Sequence, residues 1–205
     1  MRARSLTSLL AVCLLTAAAT LPAAAQTAPP TRIRGTIESD TANKLTVKAR
    51  DGQTVDIALT QPLMVLTVKK LDLAAIKPNS YVGIATRTGA GGVMQAIEVL
   101  VFPEAGRGSG EGSYPWDLEP GSTMTNGTVE GAVKASTALQ LTVDYKGGTK
   151  TIQVAPGAPV VTIAPAQRSD LKPGAPVFIG ATKSADGALS AGRVIVGTNG
   201  VAPPM

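Results

Sequence analysis

DGQTVDIAL, residues 51–59, and KGGTKTIQV, residues 146–154, decide the fold. Each is a turn followed by an alternating run. Val55, Ile57 and Leu59 alternate with Asp56 and Ala58, and Ile152 and Val154 repeat the pattern. A period of two puts successive side chains on opposite faces, which is the mark of a half-buried strand. The two stretches also match each other, and the match spreads outward. Gly35-Thr36-Ile37-Glu38 returns as Gly127-Thr128-Val129-Glu130, and Leu45-Thr46-Val47 as Leu141-Thr142-Val143. Downstream, Ile76-Lys77-Pro78-Asn79 returns as Leu171-Lys172-Pro173-Gly174, and Ala96, Val99 and Val101 as Ala191, Val194 and Val196. From Asp51 onward the offset stays at 95 residues. The matches therefore stay in register, which reads as a tandem duplication.

Each copy offers three strands, a short helical stretch and two more strands. Asp51-Gly52, Gly91-Gly92, Gly147-Gly148 and Asp186-Gly187 supply hairpin-turn chemistry. LDLAAIKP, from Leu71, has Asp72 placed to cap a short helix and Pro78 to stop it; SDLKP, from Ser169, is its shorter twin. The expected fold is all-β: two tandem small OB-like β-barrels, each with one short helix, joined by a Gly-rich linker containing Tyr and Trp. Two small sandwiches remain open as the alternative. The expected division is a leader at 1–25, a disordered segment at 26–31, a first barrel at 32–103, a linker at 104–122, a second barrel at 123–198 and a tail at 199–205.

The leader follows from MRARSLTSLLAVCLLTAAATLPAAA. It has a basic start, an apolar run from Leu9 to Leu15, and Ala23-Ala24-Ala25 before the cut. The run is too short to span a bilayer, which takes roughly 20 residues, so no membrane span is expected. Export to the periplasm or beyond is. Cleavage after Ala25 removes Cys13, the only Cys, from a chain that has no His. Disulfides, thiol nucleophiles, Ser-His-Asp relays and His- or Cys-ligated metals are then excluded. No cofactor is expected. The chain carries 19 Lys and Arg against 14 acids, and two of the bases leave with the leader. The remainder are scattered, as on a solvated barrel exterior.

Among so few rings, GEGSYPWD (110–117) holds the only Trp, Trp116, beside Tyr114. Two readings compete. Tyr114 and Trp116 pin the linker against a barrel with their polar tips wet, or they wall a groove with Glu111, Asp117 and Glu119 nearby. Gly106, Gly108, Gly110 and Gly112 lack the following helix and the Lys of a phosphate loop. Glu38 with Asp40, and Asp117 with Glu119, are oxygen donors of the kind calcium takes, but too sparse for a loop site. Nucleic acid is not expected as a partner. Tyr81, Phe102, Tyr145 and Phe178 are too scattered for a stacking platform, although the neighbours of Phe178 direct its ring to the outer face.

The repeat, the linker EAGRGSGEGSYPWDLEPGSTMTNGTV (104–129) and the ending NGVAPPM (199–205) together resemble a group of small secreted bacterial proteins with tandem OB-like domains of unknown function. The resemblance covers the chain beyond the leader. Some of that group carry the label metal ABC transporter permease, which a chain without spans does not support. The resemblance implies a bacterial, exported protein. The expected function is non-enzymatic binding or scaffolding in the periplasm or envelope, with a protein or envelope partner. The alternative is a small-ligand or metal-handling accessory acting through carboxylates and the Trp116 junction.

Overall fold

A computed structural model describes residues 29–134 and 138–204. The expected leader and residues 26–28 of the 26–31 segment lie outside the described residues, and Thr31 already belongs to a strand. In chain order the first strands are β1 (Thr31–Thr41), β2 (Lys44–Ala49), β3 (Thr54–Lys70), β4 (Tyr81–Thr88), β5 (Met94–Val101) and β6 (Gly112–Pro115). Then come β7 (Thr123–Lys134), β8 (Leu139–Tyr145), β9 (Gly148–Val154), β10 (Val160–Pro165), β11 (Pro176–Lys183) and β12 (Leu189–Val196). The chain is all-β, as the alternation indicates.

Five strands close a barrel in the order β1–β2–β3–β12–β11 and back to β1. The β3–β12 contact is parallel and the other four are antiparallel. Its core is Ile33, Ile37, Leu45, Val47, Ile57, Leu59, Val177, Ile179, Val194 and Val196, all buried. The inward residues are the apolar members of each alternation, which is the hydrophobic effect acting on a period of two. The remaining strands pair as β5–β4–β7–β8–β9, and β9 returns to β5 through the single pair Gln95–Gln153. They enclose Val82, Ile84, Val99, Val129, Leu141, Val143, Ile152 and Val154. A third cluster, Val68, Leu100, Val161 and Ile195, joins the two.

The pairing departs from barrels closed within 32–103 and within 123–198. β1, β2 and β3 take their partners β11 and β12 from the second segment, while β4 and β5 join β7, β8 and β9. The length of β3 explains this. Its 17 residues extend for about 56 Å at the usual strand rise, which is too long for one side of a small barrel. Its last residues, Leu66–Lys70, therefore carry the chain out of the first ring, where β10 pairs with them and sets Val68 opposite Ile163. β4 and β5 are laid down there. Their alternation matches that of β11 and β12, so the apolar pattern by itself does not select which pair covers which core.

The registers of the two rings correspond. Gly35 faces Val177, and Gly127 faces Val82; Val65 faces Val194, and Val160 faces Val99. The Gly-Thr motif has a steric cause. A Cβ at Gly35 would lie 2.1 Å from the Lys48 carbonyl oxygen, and one at Gly127 would lie 2.1 Å from that of Asp144. Each expected helix is a single 3-10 turn, at Leu73–Ala75 and at Arg168–Asp170. Asp72 makes no side-chain cap, whereas Gln167 and Asp170 form a capping box.

Residues 104–122 are not a free linker. β6 pairs with β7, and the Asn126 amide donates to the Ser109 and Gly110 carbonyls at 3.1 and 3.0 Å and to the Tyr114 hydroxyl at 3.1 Å. The glycines supply conformations that other residues resist, with φ of 58° at Gly110 and 135° at Gly112.

Candidate functional site

The junction around Trp116 grows from three strands. Period two sets Arg32 and Arg34 on one face of β1, and on β11 it turns Phe178 outward between buried Val177 and Ile179. β6 leads into Trp116, whose backbone N–H donates to the Ser122 carbonyl at 2.8 Å. The Ser122 hydroxyl donates back to the Trp116 carbonyl at 3.0 Å and accepts from the Glu119 N–H at 3.2 Å. The Trp116 backbone is thus held to Ser122 across a tight loop.

Around the ring, Arg32 stacks 4.0 Å from the centroid and Arg34 lies at 5.5 Å. Phe178 approaches at 6.3 Å and Tyr114 at 6.1 Å, edge-on. These are cation–π and aromatic contacts, each of order 1 kcal/mol when partly desolvated. Asp117 accepts from Arg34 at 3.0 Å and sits 3.5 Å from Arg32. Burial works against its ionised form, but the Arg34 hydrogen bond and the charges of both arginines outweigh that and hold its carboxyl below the usual range. Trp116 Nε1 is buried without a partner, so that tip is not wet as the pin reading expected. Docking the ring against Phe178 and the third cluster takes the indole edge out of solvent.

Of the five candidate residues, Tyr114, Trp116 and Asp117 come together here. Glu119 turns away to Arg87, at 3.3 Å, and Glu111 is exposed elsewhere on the loop. The other candidate carboxylates are also engaged. Asp40 pairs with Arg168 at 2.6 Å, and Glu38 accepts from the Thr54 hydroxyl at 3.2 Å. Among the described residues no three of His, Cys, Asp and Glu gather as a metal would need.

Two grooves flank the junction, and neither is lined by Trp116. One, of about 520 Å³, runs between Lys70–Leu73, Ala155–Val161 and the tail Val201–Pro204. The tail is folded back by the Thr198–Val201 bridge, and Val201 packs on the third cluster. The other, of about 290 Å³, is lined by Arg50, Ile97, Glu98, Leu118, Glu119, Pro159 and Pro204. Beneath it Glu98 is 1% exposed, and neither carboxyl oxygen has a hydrogen-bond partner. Burial pushes its pKa up to about 7, partly countered by the charges of Arg34 and Arg50.

Arg34 and Glu98 escape a reading of scattered charges as solvated. The available signals were Arg-x-Arg in phase on a strand, and a Glu in the centre of the apolar run Met94–Val101. Asn126 looks like a glycosylation sequon, yet it is 7% exposed and holds the loop. No helix among the described residues is long and apolar enough to cross a membrane. No protein-family model, curated protein or solved structure matches the chain.

Proposed function

We propose that this is an exported, non-enzymatic binding or scaffolding protein of a bacterial periplasm or envelope. In this reading a duplicated OB-like unit has exchanged its last two strands between copies. The ring order β1–β2–β3–β12–β11 follows the OB-fold order if β12 and β11 serve as fifth and fourth strands. The matching registers of Gly35 and Gly127 support the duplication. One observation carries the functional reading. The junction residues that most resemble a site spend their charge on one another, with Asp117 against Arg34 and Trp116 stacked under Arg32. That makes the junction a pin, and leaves recognition to the barrel surfaces. On the outer face of β2 and β3, Lys44 bonds Asp56 at 2.8 Å and Thr46 bonds it at 2.6 Å. That face is polar and without rings, unlike a single-strand nucleic-acid platform.

Trp116 emission tests the reading. A blue-shifted, acrylamide-resistant signal unchanged by calcium, manganese, zinc or soluble envelope polysaccharide is expected of a pin. A saturable shift with any of these would transfer the role to the small-ligand or metal-handling accessory. Export is checked separately, by fractionating cells that express the full chain.

A further inference from the structure

The two rings share a register but differ at one mouth. In the first ring, inward positions at that end hold Ile33 on β1 and Val55 on β3, both packed on the core. The corresponding positions in the second ring, by distance from Gly127 and by the 95-residue offset, hold Thr125 and Lys150. Lys150 keeps the inward phase of Ile152 and Val154. Its Nζ donates to the Ser113 hydroxyl on β6 at 2.6 Å, and Ser113 shares a hydrogen bond with the buried Thr125 hydroxyl at 3.0 Å. The Tyr145 ring lies 5.5 Å from the ammonium. Among the described residues no carboxylate pairs with Lys150. The fold does not need polarity here, since its counterpart closes the same mouth with apolar side chains.

We propose that this mouth, centred on Lys150, Ser113 and Thr125, binds the carboxylate group of a ligand. An ammonium has three donors, and one is spent on Ser113, which leaves two for an anion at the rim. One hydroxyl proton is spent between Ser113 and Thr125; with Thr125 as that donor, the Ser113 hydroxyl offers one more donor to a carboxylate oxygen. A single positive charge matches a monoanion and not a dianion. Desolvation draws the ammonium below the ordinary lysine range, as expected of a cation waiting for its counter-charge. The carboxylate can belong to a free small acid or to the C-terminus of a peptide. This site is separate from the Trp116 junction, so it stands or falls independently of the pin.

The test is an NMR titration of the isotope-labelled chain with sodium acetate, sodium sulfate, trialanine and trialanine amide. Acetate is expected to shift the Ser113, Thr125 and Lys150 signals saturably and more tightly than sulfate. Lys150→Val, which copies Val55 and so is expected to fold, should weaken acetate by about tenfold or more, as loss of a charge-assisted hydrogen bond does. Ser113→Ala should weaken it less. Trialanine binding that disappears in the amide assigns the site to peptide termini, whereas acetate without trialanine binding assigns it to free small acids. Absent or non-saturable shifts, tighter binding of sulfate, or acetate binding that survives Lys150→Val overturns the proposal.

Discussion

Replacing Glu98 by Gln exchanges a buried carboxyl for a neutral group of the same shape. In the folded chain burial raises the Glu98 pKa to about 7, against 4.5 for a free side chain. The folded state therefore keeps its proton to higher pH than the unfolded state does. Stability from this group is fully present below the unfolded value and is lost as pH rises through the folded one. A difference of that size corresponds to about 3 kcal/mol between its two limits. The chain has no histidine, and Asp56, Glu104, Asp117 and Asp186 are all shifted downward, away from that pH range. Urea unfolding followed by Trp116 emission should show the natural chain less stable at pH 8 than at pH 5. Glu98→Gln should flatten the profile and be the more stable of the two at pH 8. A natural chain with no slope across that range, or a Gln variant with the same slope, refutes the reasoning about the orphaned carboxyl.

Trp116→Ala should cost about 3 kcal/mol, because it empties the space between Arg32, Tyr114 and Phe178; an unchanged melting temperature would remove the pin. Gly127→Ala places a methyl against the Asp144 carbonyl and should cost about 3 kcal/mol or prevent folding, which circular dichroism melting will read. Lys150→Val should raise stability by about 1 kcal/mol, since a half-buried ammonium gives way to an apolar side chain. A loss of stability in that variant would mean that the ammonium serves packing.

The strands were legible because burial imposes a period of two, and Val55, Ile57 and Leu59 obey it as plainly as Ile152 and Val154. Partner choice was not. Val82-Gly83-Ile84 and Val177-Phe178-Ile179 offer the same inward pair, and alternation says which face is buried without saying against which strand. The length of β3 held the missing information, but Gln61-Pro62 in its middle reads as a break. At the junction, the two rings drew notice by rarity alone. Their cationic partners did not, because Arg32 and Arg34 become neighbours of Trp116 only once β1 and the loop after β6 meet in space.

The most direct test divides the chain between β5 and β6, into residues 29–103 and 104–204. With strands exchanged between rings, neither piece holds a complete barrel. The account predicts that each alone is unfolded by circular dichroism and amide dispersion, and that mixing them restores a single cooperative transition. A piece that folds by itself with protected strand amides would contradict it.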